Sequence, residues 1–317
     1  MVAVTAIQDE AGAVGTKIHL YYNFENKNIG FQFRNEQDTS DIKLNTFDPD
    51  SNAHEGFVIY QSHLASTKHY NKELVFAVTE KKGTEKKSSC KCGQPAESKS
   101  GDDSKDSNAD AVDISLISPV YKVVTSAYSD NYKIAACSSN VNTWIYYLKK
   151  NPKADNALNI FEAVIGPTHD KAFSTNTILP GSALAAYWDA GTKKQNIIYQ
   201  GVEGNKLRQY VIGGSDGPID AAKGVKAKST LAVAVTEAKA FLYFVDADNS
   251  TITRVTKKVG GTKWGHEQTV IDADKIVPDS QLSVTVAAGA NHLFYEAEST
   301  DKSELTHVVD SWEEEDE

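Results

Sequence analysis

The chain has 317 residues, a formal charge of −10 at pH 7 and a mean hydropathy of −0.42. A chain of this length can bury a large core without disulfides or metals. None of its apolar runs approaches the roughly 18 residues that a membrane-spanning helix needs. Its basic residues are 30 Lys and three Arg and form no basic stripe that would neutralise nucleic-acid phosphates. We therefore expect a soluble globular protein with no nucleic-acid partner and no membrane insertion.

The N-terminal residues lack a basic stretch followed by a long apolar run, so the sequence as written predicts no signal peptide. This fits a cytoplasmic protein, and it also fits a secreted protein whose leader has been removed. Cys90 and Cys92 lie in a polar tract, whereas Cys137 lies in an apolar segment with the pattern of a strand. One Cys-x-Cys pair falls short of the two spaced pairs of a usual zinc site. We expect no metal and no organic cofactor, because P-loop and dinucleotide-binding motifs are missing as well.

Short runs rich in β-formers and aromatic residues, separated by Gly, Asn, Asp and Ser, recur along the whole chain and predict an all-β fold. The repeated unit is an apolar strand, a polar turn, an aromatic-rich strand, a tight turn and a strand of alternating polarity. In chain order the copies occupy 2–7, 17–22 and 28–34; 57–60 and 73–78; 123–128, 132–137 and 143–148; 182–188, 196–200 and 206–212; 230–235, 241–245 and 251–255; 281–286, 292–296 and 304–309.

Six copies spaced about 45 to 65 residues apart predict a six-bladed β-propeller, since this spacing fits a four-stranded blade with its loops. Each blade is buried only against its neighbours, so residues 1–312 are interpreted as a single propeller domain. The tract at about 80–111 is rich in Lys, Ser, Asp and Gly and is predicted to be a flexible insertion in blade two, with 112–117 resuming the sheet. A lid, a docking loop and a tolerated insertion are all open interpretations of it. The acidic run 313–317 is predicted to be a solvated tail.

The stretch 178–188 (ILPGSALAAYW), followed by NIIYQ at 196–200 and NKLRQY at 205–210, resembles the blade repeat of the fungal fucose-specific lectins. The segments 260–265 (GGTKWG) and 277–284 (VPDSQLSV) resemble the Gly-Trp turn of that family and the Pro-Ser start of its next blade. The resemblance covers nearly the whole chain and implies the same propeller fold with a carbohydrate ligand.

The resemblance implies a sugar site made of an Arg on the second strand of a blade, a Glu on the third strand, and a Trp or Tyr that packs against the sugar. Here the second-strand position is occupied by His19 in the first blade, Phe241 in the fifth and His292 in the sixth. Arg208 and Arg254 lie instead on third strands. The resemblance therefore implies a specificity other than fucose.

The chain is also similar to the lectin-fold hetero-Diels–Alderases of fungal secondary metabolism, which join an ortho-quinone methide, derived from a tropolone or phenol, to a humulene-like terpene. This implies an apolar pocket that orients two neutral partners, and a polar group that assists loss of water. His292 and His19 are then the candidate catalytic residues, because a neutral imidazole donates and accepts protons near neutral pH. The candidate substrate-binding residues are Trp188, Trp264, Tyr199, Tyr22, Arg208, Arg254 and Tyr295.

Two functions with a ligand remain open at this point, beside a purely structural or interaction role. One is the cyclase, working without metal or organic cofactor, and the other is a carbohydrate-binding lectin of non-fucose specificity. Both take a small apolar or sugar-like ligand, and a homodimer is a candidate assembly for either. Several sugar-sized pockets between blades would favour the lectin, whereas one enlarged apolar pocket would favour the cyclase.

Overall fold

The computed structural model describes residues 2–10, 17–24, 29–44, 58–59, 62–81, 111–128, 132–151, 157–166, 170–301 and 303–312. Six antiparallel sheets account for almost all of its regular structure, and the one further element is a single 3₁₀ turn at Glu203–Asn205. No helix in these residues is long and apolar enough to cross a membrane.

The strands follow one another along the chain as six consecutive blades. Blade 1 contains β1 (Val2–Gln8), β2 (Ile18–Phe24) and β3 (Gly30–Arg34), and the short β4 (Ile42–Lys43) follows it. Blade 2 contains β5 (Leu64–His69), β6 (Lys72–Glu80), β7 (Ala111–Ser118) and β8 (Lys122–Tyr128), and blade 3 contains β9 (Ile134–Ser138), β10 (Thr143–Asn151), β11 (Ala157–Val164) and β12 (Lys171–Phe173). Blade 4 contains β13 (Leu184–Asp189), β14 (Lys194–Gln200), β15 (Leu207–Val211) and β16 (Asp216–Pro218). Blade 5 contains β17 (Ala232–Val235), β18 (Lys239–Val245), β19 (Ile252–Lys258) and β20 (Gln268–Thr269), and blade 6 contains β21 (Ser283–Ala287), β22 (Ala290–Tyr295) and β23 (Glu304–Asp310).

The innermost strands β1, β5, β9, β13, β17 and β21 contact one another in that order, and β21 returns to β1. The chain is therefore a closed six-bladed propeller, as the repeat predicts. The ring is closed by β4, which leaves blade 1 and pairs with β23 as the outermost strand of blade 6. Strands from both ends of the chain thus share one sheet.

Hydrophobic side chains fill the interfaces between neighbouring blades, because each sheet buries alternate residues against the blade before it and the blade after it. The aromatic residues of the second strands supply much of this core: Tyr22, Phe76, Tyr146, Tyr147, Tyr199, Phe241, Tyr243, Phe244, Phe294 and Tyr295 are all nearly or fully buried. The interface of blades 1 and 2 has a small buried cluster of Ala3, Val58, Leu64 and Ala77.

A serine ahead of the innermost strand repeats in four blades. We call Ser62, Ser182, Ser229 and Ser280 the clamp serines. Each backbone N–H closes a tight turn to the carbonyl three residues earlier. Each side-chain oxygen accepts a hydrogen bond from the second strand, at the N–H of Val78, Gln200, Val245 and Glu296 respectively. These positions give a common frame for comparing blades.

Two strand predictions are wrong. The inner strand of blade 2 is β5 rather than 57–60; within 57–60, Val58 makes only an isolated bridge to Thr79. The run at 123–128, predicted as the first strand of a blade, is β8, the outer strand of blade 2. Consequently 132–137 and 143–148 supply the first and second strands of blade 3, and its third strand, β11, is missed. Strand propensity reports a pleated, half-buried surface and does not report position within the sheet.

The prediction that 112–117 resumes the sheet of blade 2 is confirmed, since β7 pairs with β6 on one side and β8 on the other. Residues 82–110 between β6 and β7, including Cys90 and Cys92, lie outside the described residues, as does the acidic run 313–317.

Candidate functional site: the interfaces between blades

The third strands of blades 4, 5 and 6 present one equivalent position to the next blade. Gln209, Arg254 and His307 pair there with the second-strand residue that lies two positions before the partner of each clamp serine. All three side chains bond to the region following their own blade: Gln209 to Trp264, Arg254 to Asp310, and His307 to the backbone at Asp38. The interfaces therefore share a geometry and differ in chemistry.

An open cleft of about 450 Å³ lies at the interface of blades 4 and 5. We call it the Trp264 cleft; it is lined by Asp220, Ala221, Lys223, Trp264, Gly265, His266 and Glu267. Trp264 follows β19 and is held in a turn by a bridge to Lys257. Its indole Nε1 donates to Oε1 of Gln209 at 2.7 Å. In the same cleft, the Glu267 carboxylate accepts a hydrogen bond from the Lys223 backbone N–H at 2.9 Å.

A buried ion pair supports the Trp264 ring. Lys257 Nζ lies 3.6 Å from Oδ2 of Asp189, 5.5 Å from the Trp264 ring centre and 5.3 Å from that of Tyr187. Burial lowers the pKa of Lys257, and the nearby Asp189 carboxylate partly offsets this effect. Asp189 also accepts backbone N–H bonds from Gly191, Thr192 and Gly260.

The turn at Gly191, between β13 and β14, and the turn at Gly260, after β19, approach each other closely. A Cβ at Gly191 would lie 2.7 Å from the Gly260 Cα. Any side chain at Gly191 would therefore push the turns apart. Together with the ion pair, this close approach fixes the indole relative to both blades, and so the cleft is preorganised.

The charges are reversed at the interface of blades 5 and 6. Asp310 takes the position that Lys257 has in blade 5, because each pairs with the second-strand residue at the hairpin end. Arg254 donates to Asp310 Oδ2 at 2.5 Å and to Gln268 Oε1 at 2.8 and 3.1 Å. Trp312 packs on Phe241 with ring centres 5.0 Å apart. This Arg is thus engaged within the protein.

Blade 3 presents an acidic pair to blade 4. Tyr146 on the second strand donates to Glu162 Oε2 on the third strand at 2.8 Å, and both side chains are buried. Burial raises the pKa of Glu162, partly opposed by the Tyr146 hydrogen bond and Lys171. Trp144 stacks on Trp188 of blade 4, with ring centres 5.4 Å apart and planes at 16°. Aromatic rings and a carboxyl group therefore meet in this interface.

The two predicted catalytic histidines lie in different interfaces. His19 faces blade 2, where its Nδ1 is 2.8 Å from Glu73 Oε2. His292 is buried at the interface of blades 6 and 1, with Nδ1 3.0 Å from Nε2 of His307 and Nε2 3.1 Å from the carbonyl oxygen of Ala287. Burial lowers the pKa of His292. The structure does not bring the two imidazoles together in one pocket.

The other predicted substrate-binding residues are also distributed around the ring. Arg208 donates to the Tyr199 hydroxyl and to Asp216 within blade 4. Tyr22 is buried at the interface of blades 6 and 1, and Tyr295 is buried between blades 5 and 6 with its hydroxyl on the Asp274 carbonyl. Of the residues predicted from sequence, only Trp264 lines the open cleft.

Sequence reasoning missed Gln209, Lys257, Tyr146 and Glu162. Gln209 sits on a predicted strand, whereas Lys257 lies two residues beyond the predicted run 251–255, and both needed the register between neighbouring blades to be recognised. The third strand of blade 3 was unassigned, and assigning 157–164 to it would have revealed Glu162 opposite Tyr146. In the described part of the chain, no group of three or more His, Cys, Asp or Glu side chains could hold a metal ion.

Comparisons with known proteins show which structures share this architecture. No family model and no curated protein sequence matches the chain. Among solved structures, the Aleuria aurantia lectin, described as a six-bladed propeller with a novel fucose recognition mode, aligns with a TM-score of 0.61 at 15% identity over 96% of this chain and 90% of that one. The chain has the six-bladed fold of the fungal fucose lectins.

Two further lectins of this fold align over most of their length. SapL1, solved with α-methyl fucoside, gives a TM-score of 0.58 at 12% identity over 98% of this chain and 92% of that chain. AofleA from Arthrobotrys oligospora gives a TM-score of 0.52 at 13% identity over 99% of this chain and 85% of that chain. At these identities the likeness to the fucose-lectin fold concerns the backbone, and the residues in the interfaces have to be considered on their own chemistry.

Proposed function

We propose that the protein is a carbohydrate-binding lectin whose principal site is the Trp264 cleft. The observation that carries this proposal is an immobilised indole in an open cleft, next to Asp220, Lys223, His266 and Glu267. Sugars are bound by this combination, because an aromatic ring covers their C–H face and polar groups hold their hydroxyls. The fold of known lectins supports the proposal.

The ligand we propose is a sugar other than fucose. All three Arg of the chain lie on third strands, and each is engaged with acceptors of the protein itself. The second-strand Arg implied for the fucose site is replaced by Asn196, Phe241 and His292 in blades 4, 5 and 6. The polar groups of the Trp264 cleft are arranged differently from an Arg-Glu pair.

Isothermal titration with a panel of monosaccharides tests this proposal. We expect saturable binding of at least one sugar, and Trp264→Ala should weaken it about tenfold or more, because a central aromatic contact dominates such a site. Tyr70→Ala removes an exposed aromatic residue far from the cleft and serves as the matched control. Equal affinity of the Trp264 variant and the native protein would contradict the proposed site, and no saturable heat with any sugar would contradict the function.

The second candidate function is the hetero-Diels–Alderase, and the Tyr146–Glu162 pair favours it. A carboxyl group whose pKa is raised by burial among aromatic rings can donate a proton. In this role Glu162 would protonate the leaving hydroxyl of the precursor alcohol, which departs as water. The phenol or tropolone O–H of the precursor would give up its proton to the Glu162 carboxylate, which restores the acid and leaves the neutral ortho-quinone methide. Stacked rings such as Trp144 and Trp188 would orient the terpene partner.

This alternative is tested by incubating the protein with a quinone-methide precursor and humulene. The cyclase predicts a single stereoisomer of the adduct formed faster than in buffer, and a loss of rate in Glu162→Gln, which keeps the shape of the side chain without its acidity. Adduct formation at the buffer rate would exclude the cyclase and leave the lectin.

A further inference from the structure

A lysine and a histidine meet at the end of the central axis where the inner strands begin. His63 directly precedes β5 and Lys133 directly precedes β9, and these two strands are neighbours in the inner ring. The backbone N–H of His63 donates to the carbonyl of Tyr132 at 2.9 Å. This pair belongs to neither the Trp264 cleft nor the Tyr146–Glu162 pair.

The geometry fixes the state of the imidazole. Lys133 Nζ lies 2.6 Å from Nε2 of His63. An ammonium group only donates hydrogen bonds, so Nε2 must carry a lone pair and the ring must be neutral. Burial, followed by the charge of Lys133, lowers the pKa of His63 well below its usual value. His63 therefore accepts a hydrogen bond from the Lys133 nitrogen.

Lys133 also differs from the buried Lys257. Lys257 is enclosed between two aromatic rings and paired with the Asp189 carboxylate. Lys133 is half-buried and hydrogen-bonded to a neutral ring, and the charge of Asp279 from blade 6 supports its ammonium form. Burial outweighs this support and lowers the pKa of Lys133. Its neutral amine is thus more populated than that of an exposed lysine.

We infer that Lys133 is a nucleophilic amine that captures small aldehydes as Schiff bases, with His63 as its proton acceptor. A nucleophile and a base within hydrogen-bond distance are the arrangement that activates an amine. The neutral amine attacks the carbonyl carbon, a C–N bond forms, and the carbonyl oxygen takes up a proton that His63 relays from nitrogen. Loss of that oxygen as water then leaves the C=N bond, so the net reaction releases one water and consumes no redox equivalent.

Reductive labelling of the native protein tests this inference. The protein is treated at pH 7 with less than one equivalent of propanal and with sodium cyanoborohydride, which reduces the imine to a stable secondary amine. Labelled sites are then quantified by peptide mass mapping. Lys228, an exposed lysine directly before clamp serine Ser229, is the internal reference at a related position. We expect Lys133 to be labelled severalfold faster than Lys228 at pH 7, because burial lowers the pKa of Lys133 and so populates its neutral amine.

The same experiment at pH 10 should narrow the difference between the two rates, because the neutral fraction of an amine with a lowered pKa approaches its limit at a lower pH. His63→Gln keeps a hydrogen-bond acceptor and cannot relay the proton, so it should slow labelling of Lys133 and leave Lys228 unchanged. Labelling of Lys133 no faster than Lys228 at pH 7 would overturn the inference. That comparison uses the native protein alone, so it holds even where the variant does not fold.

Discussion

At the scale of single residues, the Asp189–Lys257 pair shows why two partners of one buried ion pair are not equivalent. Asp189 has three backbone N–H donors besides Lys257, so its carboxylate keeps hydrogen bonds when the lysine is removed. Lys257 is almost fully buried and loses its counter-charge when the aspartate is removed. A buried charge without compensation is strongly destabilising.

We predict that Asp189→Ala lowers the free energy of unfolding by about 3–5 kcal/mol. Lys257→Met should cost less than half as much, because the apolar side chain still packs against Tyr187 and Trp264. Urea denaturation of both variants at pH 7 measures the difference. Equal losses in the two variants would show that the hydrogen bonds to the aspartate do not compensate for its lost partner.

The residue scale also shows what could be predicted of the candidate site. Trp264 was predicted because it stands in a recognisable Gly-Trp turn, which is local in sequence. Gln209 and Lys257 could not be predicted, since their role depends on which blade face each strand presents. Gln209 and Lys257 are far apart in the sequence, and nothing in the sequence around either residue indicates that both contact the Trp264 indole.

At the scale of elements, the clamp serines connect the turn before each inner strand to the second strand of the same blade. Removing one such hydroxyl leaves a buried N–H on the second strand without its acceptor, which costs about 1–3 kcal/mol. We predict a loss of this size in the unfolding free energy of Ser182→Ala, measured by thermal or urea denaturation. Ser299→Ala, which removes an exposed hydroxyl, is the control and should change stability by less than about 0.5 kcal/mol. A Ser182 variant as stable as the Ser299 variant would refute the clamp role.

Strands were predicted well where this serine is part of a complete repeat, as in blades 4, 5 and 6. The predicted runs there overlap all nine inner, second and third strands. Prediction failed in blades 2 and 3, where the long tract 82–110 separates two paired strands and 123–128 has the composition of an inner strand. The predicted number of blades is still correct, because each blade contributes one aromatic-rich strand that the repeat identifies.

At the scale of the whole molecule, ring closure depends on the contact between blade 6 and the chain that follows blade 1. His307 lies 2.6 Å from the Asp38 carbonyl oxygen through Nδ1, just before β4 joins β23. Burial lowers the pKa of His307 to about 4; the hydrogen bond to Asp38 and its charge oppose this effect, while His292 and Arg34 add to it. Glu36 acts on the adjoining His292 in the opposite direction, favouring its charged form. No two-residue strand of this kind could be recognised from sequence.

A histidine with a lowered pKa binds fewer protons in the folded than in the unfolded state, so stability falls as the pH drops from about 6.5 towards 4. We predict that the titration of His307 lowers the free energy of unfolding by about 2 kcal/mol between pH 7 and pH 5. His307→Asn keeps a donor for Asp38 and should lose that part of the pH dependence, as measured by urea denaturation at both values. Native protein that is equally or more stable at pH 5 would mean that His292 and His307 share a bound proton.

The most direct test of carbohydrate recognition is a crystal structure of the protein soaked with the sugar that binds best in titration. We predict density for the sugar at the interface of blades 4 and 5, with its ring packed on Trp264 and its hydroxyls within hydrogen-bond distance of Asp220, Lys223 or Glu267. Density only at other interfaces, or an empty cleft at saturating sugar, would contradict the account.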